Sequence, residues 1–201
     1  AKIATSLQPK NVETWETLAV MYMNARSVAP EVNSWAKDAV QKSLELEPSN
    51  PVFYWYLGDI SVFAKDTEGT EKAYKKAIEL KSDYLSAYLS LSEFYESQEN
   101  LDSAISIYTP VLHLVQNSPE VLFSLGRMFY NKNEENDDKQ AELLWLKAVE
   151  LTPNYSNALY SLGLLYERRG DKAMALNYFK KVEELNPNNV DIGNKVRAML
   201  Q

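Results

Sequence analysis

The 201-residue sequence predicts an all-α fold, a solenoid of stacked antiparallel helix pairs closed by a single helix. Three observations predict it. Apolar residues recur every three or four positions along most of the chain, which is the period of an amphipathic helix. Closing residues at Pro48, Ser82, Gln116, Pro153 and Pro187 punctuate that pattern at spacings of 34, 34, 37 and 34. The composition agrees: 6 glycines, 8 prolines, 45% hydrophobic and 24% charged residues suit an ordered helical chain better than a disordered one or a Gly-rich α/β enzyme.

Each element has its own signal. Residues 1–11 read as a partial repeat, the tail of a second helix: Ala4 takes the place held later by Ala77 and Ala148, and Pro9 takes the closing position. The chain is therefore expected to begin inside an earlier repeat of a longer protein. Repeats then run 12–50, 51–84, 85–118, 119–155 and 156–189, and residues 190–201 read as a capping helix with a polar face. First helices carry Leu18-Ala19, Leu57-Gly58, Leu91-Ser92, Leu125-Gly126 and Leu162-Gly163. Second helices carry a small residue and then a larger one: Ala36/Val40, Thr70/Tyr74, Ala104/Tyr108, Ala141/Trp145 and Ala175/Phe179. The glycines permit close helix approach, and the rings are expected to fill gaps between helix pairs. One such hairpin cannot bury its own apolar face, so stacking supplies the core. Asn50-Pro51 and Ser118-Pro119 place a capping residue before a first-turn proline, and Asp171 is placed to cap a second helix. Pro110 removes a backbone donor inside the second helix of the third repeat and should bend it. Insertions break the period in the first repeat, around Pro30, and at residues 131–140.

From Asn154 the chain reads NYSNALYSLGLLYERRGDKAMALNYFKKVEELNPNN, with L-G-x-x-Y, then A-x-x-x-F, then Pro. This resembles the tetratricopeptide repeat family, and the register holds over nearly the whole chain. The resemblance implies a right-handed solenoid whose first helices line a concave groove, with ligand-facing residues two, five, nine, twelve and thirteen positions into each repeat. Counted from 12, 51, 85, 119 and 156, the candidate groove includes Trp55, Asp59, Phe63, Glu93, Glu96, Phe123, Arg127, Tyr130, Tyr160 and Glu167. Across all five repeats, Glu13, Glu16, Asp59, Glu93, Glu96, Glu120 and Glu167 face only Arg127 and Arg168. Carboxylates among aromatics favour a basic or apolar peptide or protein segment. Trp55 and Phe63 have an alternative, packing against the inserted turn of the first repeat. The carboxylate clamp of chaperone-binding members is not matched: the corresponding positions hold Glu16, Val20, Tyr56, Ser86 and Ser90, which lack its positive charge. A looser resemblance, over about residues 1–80, is to the helical-repeat tails of bacterial O-antigen polymerase- and ligase-like membrane proteins. It implies an alternative role as the soluble tail of a glycan-handling parent.

Catalytic chemistry is not evident. Cysteine is absent, which excludes disulfides and thiolate sites but fixes no compartment, so the chain suits the cytoplasm or an extracytoplasmic space. His113 is the single histidine and makes neither a multi-histidine metal site nor a relay. No GxSxG, GxGxxG or phosphate-loop motif occurs, so no catalytic residue, cofactor or metal is expected. Glu93 and Glu96 share a helix face, as such pairs do on any acidic helix. Glu134, Glu135, Asp137 and Asp138 lack the mid-loop glycine of a calcium loop and read as a solvated turn. A net charge of -7 without a basic run argues against a nucleic-acid partner. Apolar runs are too short for membrane insertion. Ile3, Ala4 and Leu7 lack a preceding helix, so weak self-association through this end is expected.

Overall fold

The computed structural model describes residues 2–115 and 118–200, and their regular elements are all α-helices. In order these are α1 (Lys2–Leu7), α2 (Val12–Ala25), α3 (Val32–Leu46), α4 (Pro51–Phe63), α5 (Thr67–Leu80), α6 (Leu85–Ser97), α7 (Leu101–Tyr108), α8 (Val111–Leu114), α9 (Pro119–Lys132), α10 (Asp137–Leu151), α11 (Ser156–Arg168), α12 (Lys172–Leu185) and α13 (Val190–Met199). The first helices α2, α4, α6, α9 and α11 start at 12, 51, 85, 119 and 156. Side-chain caps set several of these starts. Asn50 accepts from the Val52 N–H at 3.0 Å, Ser118 from Val121 at 3.3 Å and Asp171 from Met174 at 3.0 Å. Each satisfies a backbone donor that the first helical turn leaves without a partner. None of the described helices is long and apolar enough to cross a membrane.

The chain divides into two compact units between Gln98 and Glu99. In the first, α2 pairs with α3 and α4 with α5, and α6 packs on α5. Its core gathers Leu18, Ala19, Ala36, Val40, Phe53 and Ile60. In the second, α9 pairs with α10 and α11 with α12; α7 packs on α9 and α13 on α12. Its core centres on Trp145, Leu159, Leu162, Leu165 and Phe179, and Ile192 and Val196 of α13 close it. This is the helix-pair solenoid with a terminal capping helix that the repeat pattern describes.

The rings go beyond the expectation. They fill the space inside a helix pair as well as joining the core that runs across pairs. A Cβ on Gly163 would lie 2.5 Å from the Phe179 ring, and one on Gly126 would lie 2.5 Å from the Trp145 indole. A Cβ on Gly58 would overlap the Tyr74 ring outright. The bare glycine backbone leaves a slot one ring deep, and the aromatic of the paired helix occupies it.

Pro110 ends α7: the helix stops at Tyr108, and α8 restarts at Val111. A proline lacks the N–H for an i→i−4 bond, so the ladder breaks there. A recurrent staple was not visible in the sequence pattern. The Trp15 indole donates to the Pro9 carbonyl at 2.9 Å, Tyr54 to Pro48 at 3.1 Å and Tyr88 to Ser82 at 3.2 Å. Each ties the first turn of a first helix to the closing residue six positions back.

The acidic segment at 131–140 is more than a solvated turn. Asp137 is buried, and its carboxylate accepts from the Glu134 N–H at 2.9 Å. Lys132 bridges Asp102 at 2.5 Å and Glu134 at 3.0 Å. Asp138 takes the Arg168 guanidinium. Asn133 and Asn136 adopt φ of 56° and 70°, a left-handed conformation that asparagine tolerates. The carboxylates are thus used as cation partners and as an acceptor at the start of α10. His113 is exposed in the last turn of α8.

Candidate functional site

In the first unit the candidate residues rise from α4. Trp55 projects toward α6: its indole N–H donates to Ser90 Oγ at 2.9 Å, and its ring meets Tyr84 edge-on at 6.2 Å. Phe63 reaches the inserted segment of the first repeat, since the Arg26 guanidinium lies 5.2 Å from its ring centre. Arg26 also donates to the Asp59 carbonyl at 3.0 Å. Beside Trp55, the Tyr56 hydroxyl donates to the Glu16 carboxylate at 3.2 Å. Burial, then the Glu16 charge, push the Tyr56 hydroxyl up to about 12. Glu93 on α6 is exposed and Glu96 is half-buried.

Asp59 is the electrostatic centre of this unit. Tyr74 belongs to the second helix α5, yet its hydroxyl donates to Asp59 Oδ1 at 2.6 Å. It reaches that carboxylate because its ring lies across Gly58. Burial pushes the Asp59 carboxyl above its ordinary value, and the Tyr74 bond and Arg26 charge only partly offset this. Burial and the Asp59 bond likewise push Tyr74 well above the usual phenol value. Tyr74 matches the small-then-aromatic pattern of a core position. Its second role, holding a groove carboxylate, could be found only by combining that pattern with the glycine immediately before Asp59.

In the second unit Tyr130 and Tyr160 are backed by core rings. Tyr130 packs on Trp145 at 5.4 Å and Tyr160 on Phe179 at 5.5 Å. Tyr160 stays exposed, but Tyr130 is covered. The Arg168 guanidinium lies 3.7 Å over the Tyr130 ring and donates to the Tyr130 carbonyl at 3.1 Å. Phe123 meets Tyr155 edge-on at 5.5 Å, and Arg127 is half-buried on α9. Glu167 is held by Lys195 of α13 at 2.8 Å, so the capping helix contributes to the strip beside Tyr160. Lys195 also lies 4.8 Å from the Phe179 ring centre. Sequence reasoning missed this lysine because it belongs to the cap. Among the described residues, no group of three His, Asp or Glu residues could hold a metal ion.

Residues 156–189 match the family model described as tetratricopeptide repeat. That stretch, helices α11 and α12, is a tetratricopeptide repeat. The chain is 22% identical over 179 residues to anaphase-promoting complex subunit 3 of Schizosaccharomyces pombe, covering 89% of this chain and 26% of that protein. It is 25% identical over 151 residues to the human protein O-mannosyl-transferase TMTC1, covering 73% of this chain and 17% of that protein. The chain thus spans about a quarter or less of the length of these two relatives. Among solved structures it is similar to YrrB, described as a tetratricopeptide protein with an unusual peptide-binding site. The TM-score is 0.72 at 18% identity, over 98% of this chain and 97% of that one.

Proposed function

We propose that the chain is a non-catalytic interaction module that holds a peptide or protein segment along its first helices. One observation carries this reading. Side chains on the first helices combine exposed or half-exposed aromatics with carboxylates, and neighbouring helices hold them in place. Trp55 is fixed by Ser90, Glu16 by Tyr56 and Asp59 by Tyr74. Tyr160 and Glu167 are fixed by Phe179 and Lys195. Aromatics held this way bury area at little entropic cost, and carboxylates beside them favour Lys or Arg in the partner. The peptide-binding site of YrrB, a similar fold, supports the same reading. The expected partner is therefore a segment with basic and apolar side chains rather than a nucleic acid, because the chain carries a net charge of -7.

The experiment is capture of the partner segment followed by calorimetry. Tyr160→Ala should cost about 1–3 kcal/mol of binding while folding changes less. Glu93→Gln with Glu96→Gln should weaken binding chiefly at low salt, because exposed charges are screened as salt rises. Equal binding by wild type and all variants would remove the groove from the proposal. The N-terminal end carries the weaker expectation of self-association, since Ile3 and Leu7 are about three-quarters exposed. Light scattering that stays monomeric across a concentration series would remove it.

The alternative, a helical tail of a glycan-handling parent, draws on the likeness to a protein O-mannosyl-transferase. Recovery of glycan-processing components, rather than a basic peptide, in the same capture experiment would favour it.

A further inference from the structure

Helix α4 has a second face. At about 100° per residue, Trp55, Asp59 and Phe63 cluster on one side, and Tyr54, Leu57 and Ser61 lie roughly opposite. The second set floors a cavity of about 650 Å³ walled by the second helices α3 and α5. That volume suits a bound side chain with its flanking backbone. The interior is mostly apolar, formed by Leu57, Ala73 and the Tyr54 ring. Tyr54 is pinned by its bond to the Pro48 carbonyl, so its ring stays out of the space.

The rim is basic. Lys37 stands on α3, and Lys72, Lys75 and Lys76 stand on α5. The acids nearby are already committed. Asp66 caps α5 through the Gly69 N–H at 2.9 Å. Glu71 pairs with Lys75 at 2.5 Å, and Glu79 with Lys76 at 2.8 Å. Lys37 and Lys72 pair with no acid among the described residues. Two uncompensated ammonium groups therefore border an apolar cavity in a chain whose net charge is -7. Lysine suits such a rim, because its stem covers apolar surface while its charge stays in water.

We propose that this cavity is a second docking site, for an acidic segment of a partner protein. One apolar side chain of the segment enters between α3 and α5, and flanking Asp or Glu residues meet Lys37 and Lys72. This goes beyond the groove reading and has the opposite charge preference. The two faces of α4 thus sort partner segments by sign: basic ones to the Trp55 and Asp59 side, acidic ones to the lysine rim. Like-charge contact disfavours the exchanged pairing.

The full chain, labelled for amide NMR, is titrated with a synthetic peptide carrying one phenylalanine flanked by glutamates. Two control peptides carry lysines in place of the glutamates, or alanine in place of the phenylalanine. The acidic peptide should shift the Leu57, Ser61 and Ala73 amides saturably, and both controls should bind at least about fivefold more weakly. Lys37→Glu with Lys72→Glu, both surface changes, should weaken the acidic peptide about tenfold at low salt and less at high salt. Tyr160→Ala, a groove variant, should leave this binding unchanged even if the groove proposal fails. Equal binding of the lysine peptide, no effect of the double lysine variant, or no saturable shift at millimolar peptide would overturn the proposal. Lys37-dependent sedimentation with phosphatidylserine vesicles without peptide binding would overturn it in favour of a membrane surface.

Discussion

The two units use the same helix-pair plan but fasten their first helices differently. In the first unit, aromatic N–H and O–H groups reach turn carbonyls and groove side chains: Trp15 to Pro9, Tyr54 to Pro48, Tyr56 to Glu16 and Tyr74 to Asp59. In the second, leucines occupy the positions equivalent to Trp15 and Tyr54, with Leu122 and Leu159 buried. Ion pairs do much of the polar fastening instead. Arg168 meets Asp138, Arg169 meets Glu142 at 2.6 Å and Lys195 meets Glu167 at 2.8 Å. The difference teaches that the repeat specifies where helices pack, whereas the polar residues that lock the packing vary from repeat to repeat. The first unit should respond mainly to loss of single hydroxyls, and the second to salt as well as to loss of the Tyr166 hydroxyl that donates to Glu142.

The largest test addresses what the units share. Gly126→Leu or Gly163→Leu should destabilise by roughly 2–4 kcal/mol in urea unfolding, because even a Cβ would crowd the opposing ring. Gly58→Leu should do the same in the first unit. A change below about 0.5 kcal/mol at these sites would break the shared plan. Tyr74→Phe should come next, at about 1–3 kcal/mol, because it leaves the partly buried Asp59 carboxylate without its donor.

Acidity should separate the units. Burial raises the Asp59 pKa in the folded state, so this group favours folding when protonated and loses that contribution as pH rises through its raised folded value. Burial also pushes Glu142 upward, but Tyr166 and Arg169 outweigh it, and its net pKa is lowered. Glu142 therefore contributes above the ordinary carboxylate value, and its contribution is lost as pH falls through the lowered one. Between about pH 3 and 7, urea midpoints of Asp59→Asn and Glu142→Gln should differ from wild type with opposite sign at neutral pH and converge on acidification. Same-sign differences would show that the two carboxylates do not play opposed roles.

The smaller tests sharpen the comparison. Arg169→Gln should cost under about 1 kcal/mol, with a penalty that shrinks at high salt, because the pair is partly exposed. Lys65 and Glu99 take left-handed φ values of 58° and 59° at the corner where Gly170, at 80°, serves the last pair. Lys65→Gly and Glu99→Gly should each stabilise by about 0.5–1 kcal/mol in thermal or urea unfolding, because glycine relieves the left-handed strain. Loss of stability at both would show that these side chains make contacts outweighing that relief.

The sequence by itself determined the all-α class, the helix-pair repeat, the caps at Asn50, Ser118 and Asp171 and the break at Pro110. These are local features: apolar periodicity, capping chemistry and a missing backbone donor act within a few residues. Much of the aromatic and acidic character of the candidate site was legible too, since it follows from which residues fall on one helix face. Only the tertiary structure decided what those side chains meet. It put Tyr74 across Gly58 onto Asp59, Arg168 over Tyr130, Lys195 beside Glu167 and the lysine rim over the far face of α4. It also tied the acidic turn at 131–140 to distant residues, Lys132 to Asp102 and Asp138 to Arg168. The reason is range. Helix identity is set by neighbours three or four residues away, but hydroxyl bonds, cation–π contacts and ion pairs join residues 15 to 40 positions apart. Their geometry depends on side chains that no spacing along the chain orients.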